Sequence, residues 1–442
     1  MAIELSNKYY FDYIKKISLR RINVGIIGIG YVGLPLALSF FRKGIKVTGF
    51  DINKKTIDTL NKGSSHICHI KNSNIKKAVD SNLFKVTADF SLINKIDAIL
   101  ICVPTPLKEE NIPDLSYIES ALGSIKRFLK KGQLLCLEST TYPGTTKEII
   151  KPFLERIGLK VGEDFFLVYS PEREDPGNNK FKTNEIPKII GGDTIFCRDI
   201  GEKFYKLINP NIHTLTSSKA AEMTKLLENV FRAVNIGLVN ELKEFTDAMG
   251  IDIFEIIEAA ATKPFGYKPF YPGPGVGGHC IPIDPMYLSW KAKSFGLKTE
   301  LIETAIKINS DMPDFVIQKL RIALKNKGKD IKNSKILILG ISYKKNIDDY
   351  RGAPSLKIID NLQKLGAIIS YNDPYFSELN NPNGSDINLD RLELNKKNIS
   401  DQDCLILITD HDNYNFKEIE QFSNLIIDTR GIFKTSKKII RA

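Results

Sequence analysis

Residues 23 to 33, NVGIIGIGYVG, run from apolar and β-branched positions into glycines at 28, 30 and 33, and the following LPLALSFF keeps apolar side chains at helical spacing. A strand that turns this tightly into a helix opens a βαβ unit, which commits the chain to a parallel sheet with helices on its faces. Gly28 makes the turn, Gly30 lets backbone approach a pyrophosphate, and Gly33 lets the helix pack closely on the strand. Tyr31 and Val32 lie between them, where the first unpaired amides of the helix point at the phosphates. A second strand, KVTGFD, ends in Asp51 about 20 residues further on, where a carboxylate accepts hydrogen bonds from an adenosine ribose. The same carboxylate selects the cofactor. At ~4 Å and an effective dielectric of about 20 it repels each charge of a 2′-phosphate by about 4 kcal/mol. NAD is therefore expected over NADP, with Lys54 and Lys55 softening the difference.

The uncharged stretch from 24 to 41 is also the segment that a hydropathy window would offer as membrane-spanning. The strand, turn and helix reading accounts better for its glycines and proline, so no membrane partner is expected. The net charge of +11 is spread without a long basic block, which favours small anionic ligands over nucleic acid. Cysteines stand at 68, 102, 136, 197, 280 and 404 with no CxxC among them. That spacing argues against a disulfide scaffold and against a structural metal, and for a reducing compartment. The first 22 residues mix both charges and lack an apolar core, so no signal peptide is expected and the cytoplasm is the expected location.

At 442 residues the chain is long enough for two or three domains. DAILICVPTP, QLLCLESTTYPGT and FFLVYSPERED read as further strands, ending in Thr105, Thr140 and Glu172. Polar groups just past strand C-termini are where doubly wound sheets place their sites, although each of these three also suits an ordinary turn. From Ser218, read as an N-cap, to Gly250, read as a stop, the spacing predicts one long helix. Lys225 and Asn229 share a face of it, as a solvated pair or as part of a site. After residue 327 a second α/β half begins at KILILG, with Gly340 but without the full glycine fingerprint. Such a half suits a mononucleotide or sugar nucleotide, with Lys344, Arg351 and Arg430 as candidate phosphate ligands.

Between the long helix and that half lies GPGVGGHCIPIDP, residues 273 to 285. Glycines and prolines at this density make a rigid irregular loop, and Cys280 is what it presents. An inert thiol and a nucleophile both fit up to this point.

In this order, GIGYVGLPLA, CVPTP, ESTTYPGT, YSPEREDPGN, KLLEN, FYPGPGVGGHCIPIDP, GISYKKNIDDYRGAPS and IIDTRG resemble the nucleotide-sugar 6-dehydrogenases of the UDP-glucose dehydrogenase superfamily. EREDPGN and the FYPGPG stretch look most like bacterial UDP-N-acetylglucosamine 6-dehydrogenases of surface-polysaccharide pathways. The resemblance implies an α/β protein of two Rossmann-like doubly wound domains joined by a long central helix. Its parts are an N-terminal extension over 1–22, an NAD-binding domain over 23–213, a central dimerisation and catalytic-loop domain over 214–327, and a UDP-sugar-binding domain over 328–442. It implies two NAD-dependent oxidations at C6, with Cys280 capturing the aldehyde as a thiohemiacetal that becomes a thioester. Lys225 and Asn229 would stabilise oxyanions, Asp284 would orient or deprotonate groups at C6, and Glu172, with Thr140 holding a water, would be the base for hydrolysis. Thr105, Thr140 and Arg351 join Gly28, Gly30, Tyr31, Val32, Gly33 and Asp51 around NAD. Arg173, Tyr271, Gly277, Lys344 and Arg430 join Glu172, Lys225 and Asn229 around the UDP-sugar. A homodimer or higher homo-oligomer is the implied assembly. UDP-glucose and UDP-N-acetylmannosamine are the alternative substrates, and a nucleotide sensor without turnover is the rival of a different class.

Overall fold

The structure is a computed structural model that describes residues 7–67, 70–173, 185–379 and 389–442. Cys68 and the part of EREDPGN from Glu174 onward lie outside the described residues. The chain forms two compact units, Met1–Glu228 with Trp290–Gly296, and Asn229–Ser289 with Leu297–Ala442.

The first unit is built on eight strands, β1 Asn23–Ile27, β2 Lys46–Phe50, β3 Phe84–Thr87, β4 Ala98–Ile101, β5 Leu134–Leu137, β6 Phe166–Tyr169, β7 Lys188–Gly191 and β8 Ile212–Leu215. Their order across the sheet is β3-β2-β1-β4-β5-β6-β7-β8. The order reverses between β1 and β4, which opens a crevice at the strand C-termini of a doubly wound sheet. AILI, LLCL and FLVY in β4, β5 and β6 are buried throughout, as expected of parallel strands covered on both faces. Neighbours run parallel except β6 and β7, which meet antiparallel at Tyr169 and Gly191. The stretch from 24 to 41 is β1, the glycine turn and the helix Gly33–Arg42. Among the described residues no helix is long and apolar enough to cross a membrane.

The extension contributes the helix Lys8–Ser18, capped by the Asn7 side chain and burying Tyr13 and Ile17. Tyr10 donates to Asp199 at 2.6 Å and Lys16 pairs with Asp97 at 2.6 Å, which ties this helix to the first unit.

The long helix covers Ser218–Ala248, 31 residues, and the chain leaves it through Gly250 at φ 71°. Its cap is Ser217 rather than Ser218, because the Ser217 hydroxyl accepts from Ala220 N at 3.1 Å. Ser218 instead donates its own hydroxyl to Asp193 at 3.1 Å. The boundary between the two units falls inside this helix, after Glu228.

The second unit holds β9 Lys335–Leu339, β10 Ile368–Asn372, β11 Asp390–Arg391, β12 Cys404–Leu407, β13 Ile426–Asp428 and β14 Ile439–Arg441. All pairs are parallel and the order is β11-β10-β9-β12-β13-β14, the arrangement of the first six strands over again. The repetition reaches single bonds. Ile29 N donates to Asp51 at 3.0 Å at the end of β2, and Ile341 N donates to Asp373 at 2.7 Å at the end of β10. The difference is that Asp373 is fully buried and also meets Ser342 N and His411 Nε2. His411 accepts Asn346 N–H on Nδ1 at 3.0 Å, so Nε2 carries the proton that it gives to Asp373. A carboxylate enclosed in this way cannot take a ribose, which is why the second half keeps the frame of a dinucleotide domain without its acceptor.

Candidate active site

In the first unit the glycine turn has the shape that a dinucleotide needs. Gly28 sits at φ 89°, and a Cβ there would lie 2.6 Å from the Cys102 carbonyl oxygen, so only glycine makes this turn. A Cβ at Gly33 would run into the Gly28 carbonyl, whereas one at Gly30 would meet nothing within 4 Å. The space over Gly30 is where a pyrophosphate would approach backbone, next to half-buried Tyr31 and Val32 and a helix start that no side chain caps. Asp51 accepts from Ile29 N at 3.0 Å and Asn53 N at 2.9 Å, one amide on each oxygen, and each oxygen keeps a second lone pair. These residues fit NAD. Thr105 donates to the Thr140 carbonyl at 2.7 Å, which joins the ends of β4 and β5.

Glu172 follows β6. Lys225, nearly buried, donates to the Glu172 carbonyl at 2.6 Å, and Arg173 N donates to a Glu172 carboxylate oxygen at 2.7 Å. The Arg173 guanidinium pairs with Glu228 at 2.6 Å and reaches the Pro187 carbonyl at 2.5 Å. Beside them stands a group that sequence patterns do not reveal. Buried Lys188 lies 2.8 Å from Glu138 and 3.9 Å from Glu172, and Tyr205 donates its hydroxyl to Glu138. The hydroxyls of Thr141 and Ser170 are buried with no hydrogen-bond partner among the described residues. Buried hydroxyls of this kind are ordinarily satisfied by water.

Glu222, buried on the long helix, is a second residue the sequence leaves unmarked. It accepts from Gly144 N at 2.5 Å, Thr146 N at 2.8 Å and the Thr146 hydroxyl at 2.6 Å, and so clamps the turn that follows Thr140. Burial pushes its carboxyl from 4.5 up to about 7 against the pull of those donors. The folded protein then holds a proton that the unfolded chain gives up between these values, so stability falls as pH rises through that window. The loss is about 3 kcal/mol. Glu222→Gln cannot titrate, so the unfolding free energy of wild type relative to this variant is expected to fall by up to about 3 kcal/mol as pH is raised from about 5 to about 8. A difference independent of pH in chemical denaturation would exclude Glu222 as the titrating group.

In the second unit Asn229 and Asp284, both buried, are joined by a bond from the Asn229 amide to the Asp284 carboxylate. Arg232, three residues along the helix, donates to the Asn229 side-chain oxygen and so fixes which end of the amide faces Asp284. Asp284 opens the helix Asp284–Lys293. Its backbone N donates to the Cys280 carbonyl at 2.9 Å, which places Cys280 one turn before the positive end of that helix. Cys280 is exposed, whereas Cys102, Cys136, Cys197 and Cys404 are buried outside any disulfide.

The glycines before Cys280 are explained by what lies against them. A Cβ at Gly277 would lie 2.6 Å from Tyr343 Cβ, and one at Gly278, which has φ 83°, would lie 2.9 Å from the Tyr343 ring. Gly278 N also donates to the Arg351 carbonyl at 3.2 Å. The loop is thus pressed against the segment that follows β9, and only residues without side chains allow it. Arg351 is bound to Asp349 through Nε at 2.8 Å and Nη2 at 2.7 Å. Half-buried Lys344 lies in the same segment. Arg430 donates through Nε to the Ile408 carbonyl at 2.6 Å and borders Gly273. Tyr271 is exposed and stacks on Phe254 at 6.3 Å.

Three parts of the chain match one family. Residues 22–209 match the NAD binding domain, 219–311 the central domain and 337–435 the UDP binding domain of the UDP-glucose/GDP-mannose dehydrogenase family. The chain is 36% identical over 361 residues to UDP-N-acetyl-D-glucosamine 6-dehydrogenase of Pseudomonas aeruginosa, covering 81% of this chain and 84% of the relative. It is 39% identical over 353 residues to UDP-N-acetyl-D-mannosamine dehydrogenase of Campylobacter jejuni, covering 78% and 84%. The solved UDP-D-ManNAc dehydrogenase of Pyrococcus horikoshii superposes with a TM-score of 0.84 at 32% identity, over 95% of this chain and 99% of that one. A match that runs through all three parts in order settles the family: the chain belongs to the UDP-glucose/GDP-mannose dehydrogenases and is an NAD-dependent oxidoreductase of UDP-sugars.

Proposed function

We propose that the chain oxidises C6 of UDP-N-acetylglucosamine to the carboxylate by way of a thioester on Cys280. The observation that carries the chemistry is an exposed thiol on a glycine loop held at the start of a helix whose first residue, Asp284, is bonded to Asn229. Bound in the glycine turn with its ribose on Asp51, NAD supplies the hydride acceptor for both oxidations.

Asp284 takes the proton of the C6 hydroxyl. The Cys280 thiol then loses its proton to water and its sulfur adds to the C6 aldehyde, the carbonyl electron pair moves to oxygen, and Lys225 and the Asn229 amide stabilise that charge. Once the second oxidation has made the thioester, Glu172 accepts a proton from attacking water, the C–S bond breaks, and the thiolate leaves. Thr140 holds the water, in a region where the buried hydroxyls of Thr141 and Ser170 suit a hydrated pocket. Arg430, Lys344 and Arg351 would serve as ligands of the sugar nucleotide, with Gly277, Arg173 and Tyr271 as further candidates, and Arg351 is a candidate ligand of NAD as well.

Relatives whose names specify acetamido sugars support an N-acetylated substrate. The mannosamine enzymes among them favour UDP-N-acetylmannosamine as the second reading. NADH formation against a panel of UDP-sugars is expected to give UDP-N-acetylglucosamine the highest kcat/KM. A value for UDP-glucose or UDP-N-acetylmannosamine more than about tenfold higher would overturn the assignment.

A second copy of the chain is the proposed partner. Phe231, Leu238, Leu242 and Phe245 are exposed on the long helix at helical spacing, with exposed Met249 just past its end, an apolar stripe of the kind that associating subunits cover. Wild type is expected to sediment as a dimer and Phe245→Glu as a smaller species, and a monomeric wild type would count against the pairing. Four buried thiols outside any disulfide support a reducing compartment, the cytoplasm.

A further inference from the structure

In the second unit the loop over residues 341 to 351, between β9 and the helix Pro354–Lys364, is gripped along its length. At its start Ile341 N and Ser342 N donate to Asp373 at 2.7 Å and 3.2 Å, and the Ser342 hydroxyl donates to the Ile347 carbonyl at 2.8 Å. Tyr343 N closes the loop on the Asp349 carbonyl at 3.2 Å. At its tip stands Asn346 with φ 63°, a left-handed conformation that is uncommon for any residue with a side chain. Such a conformation persists where its surroundings fix it.

Here the turn after β12 does so. Fully buried His411 accepts Asn346 N–H on Nδ1 at 3.0 Å, and Asp412 N donates to the Asn346 side-chain oxygen at 3.1 Å. The Asn346 amide and the Lys345 ammonium reach the Asp412 carboxylate at 2.5 Å and 2.9 Å. The His411 ring is itself fixed, with Nε2 on Asp373 at 3.1 Å and the rings of Tyr375 and Tyr414 at 5.0 Å and 5.6 Å. What this turn holds bears on the site. Tyr343, three residues before the tip, is the surface against which Gly277 and Gly278 lie on the way to Cys280. Lys344 and Arg351 are the ligands proposed for the sugar nucleotide. With its tip released the loop would sample other shapes, and substrate would bind only the fraction that keeps the competent one. Apparent affinity then falls in proportion to that fraction, whereas the complex, once formed, is unchanged.

We propose that His411, with Asp412, is a positioning residue for substrate, holding Asn346 so that the loop keeps the shape that takes the UDP-sugar. The proposal rests on the reading that this loop contacts the UDP-sugar, and Lys344→Ala tests that reading separately. His411→Asn can place its side-chain oxygen where Nδ1 stands and keep the acceptor for Asn346. His411→Gln can place its amide where Nε2 stands, which keeps the donor for Asp373 and loses that acceptor. Asp412→Ala loosens the same tip from an exposed position, without touching the core.

Steady-state NADH formation by the full-length variants is measured against NAD and against the UDP-sugar that wild type oxidises fastest. KM for the UDP-sugar is expected to rise about 10-fold in His411→Gln and about threefold in Asp412→Ala, with kcat and KM for NAD within about twofold of wild type. His411→Asn is expected to keep all three within about twofold. A residue needed only for folding would instead reduce the amount of active protein, lowering kcat at unchanged KM in both His411 variants. That outcome overturns the proposal, as does an unchanged KM in His411→Gln or an equal rise in both. If neither His411 variant folds, an unchanged KM in Asp412→Ala overturns it. A raised KM in Lys344→Ala without one in His411→Gln rejects the role of His411 alone, and an unchanged KM in Lys344→Ala rejects the substrate loop and the proposal with it.

Discussion

Cys280→Ala is expected to lower formation of the carboxylate product by about 10⁴-fold or more, because a methyl group cannot carry the acyl intermediate. The loop itself should survive the change. Its path is set by Gly277 and Gly278 against Tyr343 and by the bond from Gly278 N to the Arg351 carbonyl, none of which involves the thiol. Substrate KM should therefore stay within about threefold of wild type while kcat collapses, the signature of a group that acts on the reacting atoms and not on ground-state binding. The first oxidation needs no sulfur, so a first equivalent of NADH can still form, with no change in protein mass. Sustained production of two NADH for each carboxylate by Cys280→Ala would remove the covalent route altogether.

Glu172→Gln should fail later in the cycle. A neutral amide cannot take the proton from attacking water, so hydrolysis is expected to slow by about 10²- to 10⁴-fold while both oxidations proceed. NADH should appear as a burst approaching two per site, followed by a slow steady state. The protein should gain the mass of the acyl group, and Cys280→Ala in the same background should abolish that gain. Were Glu172 needed only to orient substrate, the first turnover would be suppressed too and no adduct would accumulate. The backbone around it argues for a confined change, because Lys225 grips the Glu172 carbonyl and not its side chain. An unmodified protein without a burst is the result that rejects the hydrolytic role.

How much of this was legible without coordinates depends on whether a feature is local. The strand, glycine turn and helix at 23 to 42 were readable because the φ of 89° at Gly28 and the contact of Gly33 with the Gly28 carbonyl are made within a few residues. The long helix was readable for the same reason, except at its start, where two serines in a row offer the same hydroxyl. The bond from Ala220 N to Ser217 decides between them, and Asp193, 25 residues away in sequence, engages the other.

Long-range neighbours were the tertiary structure's to decide. GPGVGGHC announces a rigid loop around a thiol, but not that Tyr343 is the surface that excludes a Cβ from it. Asp373 carries the same backbone bond as Asp51, and only the burial of His411 against it decides that one carboxylate is open to a ribose and the other closed. Glu138 and Lys188 are 50 residues apart and separately look like a strand-end acid and a stray surface base. They become a pair only in the folded sheet, where β5, which Glu138 follows, and β7, which Lys188 opens, flank β6 and the two side chains meet at 2.8 Å. Hydrophobic pattern and glycine placement act through steric limits on nearby backbone, so the sequence alone determined the turns, the strands and the thiol's loop. Strand order, register and burial set the distances between charges far apart in the chain, and those came only with the folded sheet.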